Sequence, residues 1–194
     1  MKIGCIVLAS GESVRFGSNK LLADFCGKPL LTHLLDALPA ELYTIVVARD
    51  AAVQSLVRKC GFPCVLQSLP AVRDTIRFGL AQLRGTDGCL FCVGDQPLLR
   101  RSTIRAMLDA FTQDPKHIVR AAFQGREGNP VLFPAALYGE LASLREDEAG
   151  VTVIRRHPSR VHTVEATFAQ ELDDVDTPET FAALAAWITE QKEC

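Results

Sequence analysis

Short apolar runs alternate with amphipathic stretches along most of the chain, and this alternation constrains the fold more than any other feature. Residues 2–8 (KIGCIVL), 43–48 (YTIVVA), 63–67 (PCVLQ), 88–93 (GCLFCV), 117–123 (HIVRAAF), 131–133 (VLF) and 160–165 (RVHTVE) read as strands. Several are near-continuous apolar segments, as strands covered on both faces are. The segments 29–38, 50–60, 71–84, 102–112, 135–144, 150–156 and 178–191 read as helices, and in 71–84 Val72, Ile76, Leu80 and Leu83 fall on one face. Ser102 and Thr177 stand where N-caps belong, and Pro29 and Pro178 at first helical positions. The pattern predicts an α/β fold, three-layer αβα and Rossmann-like, with a mainly parallel, mixed sheet and right-handed crossovers.

At 194 residues the length fits one domain, 1–194, and with 48% apolar residues it can bury a full core. Lys and Arg total 21 against 23 Asp and Glu, a balance that disfavours a nucleic-acid partner. No apolar run reaches the roughly 18 residues of a membrane span, and the opening MKIGCIVLAS lacks an export signal. Seven cysteines, several within apolar runs, suit reduced thiols and a cytoplasmic location. Cys89 and Cys92 lie on one strand, where alternation sends them to opposite faces, so core packing is expected of them rather than zinc binding.

In such a sheet, ligands bind beyond the carboxyl ends of the strands. Two polar loops are placed there. The first is LASGESVRFGSNK (8–20), after the first strand; the second is VGDQP (93–97). The first loop fits neither the P-loop spacing nor the dinucleotide fingerprint. It still has the parts of an anion cradle: Gly11 and Gly17 for close backbone approach, Arg15 as a planar fork and Lys20 as a point charge. Asp95, on a tight turn before Pro97, has the oxygen chemistry of a Mg²⁺ ligand. Plainer uses exist for the same residues: a solvated loop for 8–20, a turn cap for Asp95, and a favourable helix-start carboxylate for Asp176.

The motifs together resemble the MobA-like nucleotidyltransferases, and more narrowly their molybdenum-cofactor cytidylyltransferase (MocA-like) branch. They are L-A-S-G-x-S-x-R-F-G-x-x-K-L-L, GKPLL (27–31), TIRFGL (75–80), VGDQP (93–97), GREGNPVLF (125–133) and DDVDTPE (173–179), in one order along the chain. The resemblance implies a fold of the nucleotide-diphospho-sugar transferase type. It implies transfer of a nucleoside monophosphate, CMP from CTP, to the terminal phosphate of molybdopterin with release of pyrophosphate. It implies Mg²⁺ or Mn²⁺ as cofactor and a molybdenum hydroxylase as a client. By position, Arg15, Lys20 and Asp95 would be catalytic. Leu8, Ala9, Ser10, Gly11, Thr75 and Gly79 would border the nucleotide with them. Asp95 and Asp176 would hold the metal, with Asp174 competing for the second place. Gln96, Gly128, Asn129 and Pro130 would face the acceptor.

Three departures stand out. Ser10 replaces the family's usual Ala or Gly, which leaves cytosine and guanine both open. Thr75 stands for the usual Ser and keeps the hydroxyl. Around Gly150, Thr152 occupies the place of an expected Arg, with Arg155 and Arg156 close by, so the acceptor is less constrained than the donor. Two other readings follow: the same chemistry with GTP or another phosphate acceptor, and a non-catalytic nucleotide- or cofactor-binding factor for hydroxylase maturation.

Overall fold

The computed structural model describes residues 1–11, 16–17, 19–69 and 71–193. Its main sheet has seven strands: β1 (Ile3–Ala9), β4 (Tyr43–Ala48), β5 (Cys64–Leu66), β6 (Gly88–Val93), β7 (Ile118–Phe123), β8 (Arg126–Pro134) and β9 (Val161–Glu165). Their order is β5-β4-β1-β6-β8-β7-β9. Only β8 runs antiparallel to its neighbours. A separate two-stranded ribbon pairs β2 (Asp24–Phe25) with β3 (Lys28–Pro29).

Helices cover both faces, giving three layers. On one face, α1 (Leu30–Ala37), α2 (Ala51–Lys59), α4 (Arg101–Gln113) and α7 (Pro178–Glu193) pack on Cys5, Val7, Leu90, Cys92 and Leu132. On the other, α3 (Val72–Gln82), α5 (Tyr138–Ala142) and α6 (Gly150–Arg156) pack on Ile6, Val47, Cys89, Phe91 and Phe133. Each strand feeds both cores because its side chains alternate. Cys89 and Cys92 accordingly sit in different cores. Among the described residues no helix is long and apolar enough to cross a membrane.

Several local expectations need correction. Ser102 is not a cap: α4 starts one residue earlier, and Arg100 holds the N-cap position without a side-chain bond. Pro29 lies just before α1, in ribbon strand β3. β8 is nine residues long rather than three. Its polar start is paired to β7 through a two-residue turn in which Gln124 (φ 49°) and Gly125 (φ 83°) are both left-handed. The ribbon at 24–29 was missed for the same reason, since Cys26 (φ 53°) and Gly27 (φ 93°) form a tight turn from a residue pair without the usual Asn or Asp. The helix expected over 135–144 divides into a 3₁₀ turn, Ala135–Leu137, and α5. Thr177 does cap α7, accepting from the Thr180 N–H at 3.2 Å.

Candidate active site

β1 lies between β4 and β6, and the chain order reverses there, which opens a crevice at the carboxyl ends of β1 and β6. Leu8 pairs with Val93 in register, so residues 9–11 and 94–96 leave the sheet side by side. The Gly94 N–H donates to the Leu8 carbonyl at 2.9 Å. A side chain at Gly94 would meet that oxygen and Leu31 Cδ1, each at 3.2 Å, so glycine lets the two loops close together. The Val175 N–H donates to the Asp95 carbonyl at 2.9 Å, fastening the 173–177 segment to the same turn.

This convergence assembles a charged centre. Lys20 begins a 3₁₀ turn, Lys20–Leu22, whose entry Asn19 caps by accepting from the Leu21 N–H at 3.2 Å. Although only 7% exposed, Lys20 places its Nζ 2.6 Å from Asp95 Oδ2 and 3.0 Å from Asp176 Oδ1. Burial works to lower its pKa, but the hydrogen bonds and charges of Asp95 and Asp176 outweigh it, and the net shift is upward. Beside them Asp174 is pushed up to about 6, by burial of its carboxyl first and then by the negative charges of Asp95 and Asp176. The Gln96 amide donates to Asp174 and works in the opposite direction. Lys20, Asp95 and Asp176, from three distant parts of the sequence, therefore meet at one point.

A second group lies on the α3 side. Ser10 Oγ and Thr75 Oγ1 are 2.7 Å apart, and Gln67 Nε2 donates to Thr75 Oγ1 at 2.8 Å. This joins the ends of β1 and β5 to the first turns of α3. Beside it is a cavity of about 280 Å³, lined by Leu8 and Val93 at the strand ends, Ile76 on α3, Val131 on β8, with Arg120 and Asn129 as polar members. Arg120 is held by the Gly128 carbonyl at 3.1 Å and Glu127 at 2.5 Å.

The expected residues divide into groups. Lys20, Asp95 and Asp176 converge, as do Ser10 and Thr75, and Leu8 and Asn129 line the same cavity. Arg15 lies outside the described residues, as do Glu12, Ser13, Val14 and Ser18 of the same loop. Ala9 turns into the opposite core, 4% exposed. Gly11 is exposed, and among the described residues no heavy atom lies within 4 Å of the place of a side chain. Gly79 packs on β1, where a Cβ would stand 2.7 Å from Ile6 Cδ1. Gln96 is 1% exposed and serves Asp174 rather than an open cleft. Gly128 packs against Leu172, and Pro130 is buried after a cis Asn129–Pro130 bond.

Sequence reasoning missed Gln67 and Arg120. Gln67 ends the strand-like PCVLQ and so falls at the ligand-binding edge, which is the signal that could have found it. Reasoning also missed Glu171, which is fully buried and accepts from Arg100 N at 3.0 Å, Thr103 Oγ1 at 2.5 Å and Thr167 N at 2.7 Å. It fastens the chain just before the acidic segment to the start of α4.

The donor chemistry fits a hard divalent cation. Asp95 and Asp176 already share one ammonium, and Mg²⁺ or Mn²⁺ takes one or two carboxylates and completes its shell with phosphate and water. Among the described residues no group of three or more His, Cys, Asp or Glu is placed to ligate an ion by itself.

Comparison with known proteins points the same way. The family model described as "MobA-like NTP transferase domain" matches residues 5–161. The chain is 31% identical over 121 residues to 3-deoxy-manno-octulosonate cytidylyltransferase of Syntrophus aciditrophicus, covering 59% of this chain and 48% of that protein. It is 34% identical over 118 residues to the Pyrococcus horikoshii protein named "Probable molybdenum cofactor guanylyltransferase", covering 60% of each. The crystal structure of Rv0371C of Mycobacterium tuberculosis in complex with manganese superimposes with a TM-score of 0.75 at 26% identity, covering 96% of this chain and 99% of that one. The chain spans about half or less of the length of the first curated relatives it matches.

Proposed function

The chain belongs to the MobA-like NTP transferase domain family, and we propose that it transfers CMP from CTP to the terminal phosphate of molybdopterin. The observation that carries the reaction type is the meeting of Lys20, Asp95 and Asp176 at the carboxyl edge of β1 and β6. Nucleotidyl transfer needs positioning and charge neutralisation more than covalent help. An oxygen of the acceptor phosphate forms a bond to the α-phosphorus, the α–β anhydride bond breaks, and pyrophosphate leaves with the electron pair. Lys20 places a positive charge where the triphosphate gathers negative charge, and Arg15 is proposed to share that role. Asp95 and Asp176 would hold Mg²⁺ or Mn²⁺, whose chemistry is to bind phosphate oxygens and neutralise them. A relative crystallised with manganese supports the use of a divalent cation.

Leu8, Ser10, Gly11 and Thr75 are proposed to border the nucleotide, and Gly128, Asn129 and Pro130 the acceptor, across the cavity that Asn129 lines. Ala9, Gly79 and Gln96 act from behind, shaping the loops and the helix that carry the others. Residues 1–194 form one catalytic domain in this reading. The cytidylyltransferase among the relatives and the run of motifs along the chain favour CTP. The guanylyltransferase relative favours the second reading, GTP as donor. Molybdopterin as acceptor, and a molybdenum hydroxylase as client, rest on the motif order.

Pyrophosphate release tests this. Purified protein is incubated with each NTP, Mg²⁺ or Mn²⁺, and molybdopterin. The expected result is pyrophosphate with CTP, dependent on acceptor and metal. Release with GTP alone moves the chain to guanylyl transfer. Nucleotide binding without release from any NTP, with molybdopterin or with sugar and alcohol phosphates, replaces the enzyme with a binding factor.

A further inference from the structure

We infer that Glu171 is a positioning residue for the divalent cation: its carboxylate ties the acidic segment to the exit of the Asp95 turn and so sets the spacing of Asp95 and Asp176. The inference rests on the reading of Asp95 and Asp176 as a metal pair, and adds what holds that pair in place. The two carboxylates come from distant parts of the chain and repel each other, so the backbone has to keep their spacing. The acidic segment has little structure of its own to do so. Residues 173–176 belong to neither helix nor strand, and the Asp176 side chain is 55% exposed.

Glu171 is fully buried, in the 3₁₀ turn Ala169–Leu172 that leads into this segment. Its Oε2 accepts from the Arg100 N–H at 3.0 Å and the Thr103 hydroxyl at 2.5 Å, and its Oε1 from the Thr167 N–H at 2.7 Å. Residue 100 is the N-cap of α4 and makes no side-chain cap bond, so Glu171 caps this helix from outside, where the helix dipole favours a carboxylate. A Ser or Asp at residue 100 would cap α4 without burying a distant carboxylate. What the carboxylate from residue 171 does in addition is join two stretches of chain.

Those stretches are 95–100 and 171–175. Glu171 holds Arg100 at one end, and the Val175 N–H holds the Asp95 carbonyl at the other, at 2.9 Å. The Arg100 guanidinium also lies over the Phe168 ring, 4.4 Å from its centroid. The two rungs run in opposite chain directions, and Asp176 follows the second by one residue. Without the Glu171 rung the segment pivots about Val175, and the two carboxylates lose their fixed spacing.

Mn²⁺ alone is the probe, its free concentration read by electron paramagnetic resonance below the melting temperature of every variant. Glu171→Ala is expected to weaken Mn²⁺ binding about tenfold or more. Glu171→Gln keeps an oxygen for Arg100 and Thr103, and is expected to lose stability while holding Mn²⁺ close to the wild-type affinity. Phe111→Leu, a core substitution further along α4, is expected to lower Tm without weakening Mn²⁺ binding. Thr103→Val carries the test if Glu171→Ala does not fold, with a smaller loss of affinity expected. Unchanged affinity in a folded Glu171→Ala protein, or in Thr103→Val in its place, overturns the inference and leaves the metal pair intact. A Gln variant as weak as the Ala variant overturns it as well, because charge rather than tethering is then the cause. So does an equal weakening by Phe111→Leu, which reduces the effect to lost stability. Wild-type protein that binds Mn²⁺ no better than Asp95→Asn overturns the metal pair itself, and this inference with it.

Discussion

Removing the Lys20 ammonium is expected to destabilise the chain through one partner more than the other. Asp95 sits 2.6 Å away with its side chain 19% exposed; Asp176 sits 3.0 Å away and is 55% exposed. Solvent screens the Asp176 contact, so most of the effect comes from Asp95. Breaking a fully buried pair costs about 3–5 kcal/mol, and Asp95 keeps some water, so Lys20→Met is expected to cost about 2–3 kcal/mol. In a chain of this size each kcal/mol moves Tm by about 2–4 °C. The raised Lys20 pKa means this contribution is complete below the ordinary lysine value of 10.5 and is lost as pH rises through the higher folded value. A melt at pH 7 therefore reads the pair at full strength. The assay is a double-mutant cycle of Lys20→Met and Asp95→Asn, without metal or nucleotide. If the ion pair is the cause, the double variant loses at least about 1 kcal/mol less than the sum of the singles. Losses that add within about 0.5 kcal/mol refute the pairing. Turnover of Lys20→Met is expected to fall about 100-fold or more, the effect of removing a group that acts on charge developed in the transition state. Normal turnover would remove Lys20 from the mechanism.

Gly79→Ala is expected to cost about 1–3 kcal/mol by driving a methyl into Ile6 while leaving nucleotide affinity unchanged, as melting and titration would show; a loss confined to affinity would restore Gly79 to the base site. Asp174, held near 6, favours its protonated form in the fold, so its contribution to stability is greatest below the ordinary aspartate value of 3.8 and is lost as pH rises through about 6. Asp174→Asn is accordingly expected to melt above wild type at pH 7 and to lose that advantage towards pH 4; a constant difference across that range would contradict the assignment. Glu171→Gln turns an amide towards groups that already donate, and about 1–3 kcal/mol of stability is expected to go, measurable by urea unfolding.

What the sequence determined by itself was the layer order and the edge of the sheet where Lys20 and Asp95 come together. The strand–helix alternation is a local property: each apolar run must be buried by something, and the two periodicities distinguish strand from helix. β4 and β6 were read with their observed limits, and Lys20 and Asp95 were placed at the correct edge. Left-handed turns were less legible, because Cys26 and Gln124 adopt positive φ for reasons set by strand pairing rather than by their own preference. The start of β8 was hidden because its polar residues, Glu127 among them, are satisfied across the sheet by β7.

Only the tertiary structure decided which residues meet. Asp174 and Asp176 could not be ranked from the motif, since each is equally close in sequence to the rest of it. The Val175 N–H on the Asp95 carbonyl sets the phase of that segment, and with it Asp176 comes to Lys20 while Asp174 is left with Gln96. Gln67 and Gly79 changed meaning in the same way. One became a buried polar group with an unfilled acceptor and the other a packing contact, because hydrogen-bond satisfaction and close packing depend on neighbours that sequence distance does not reveal.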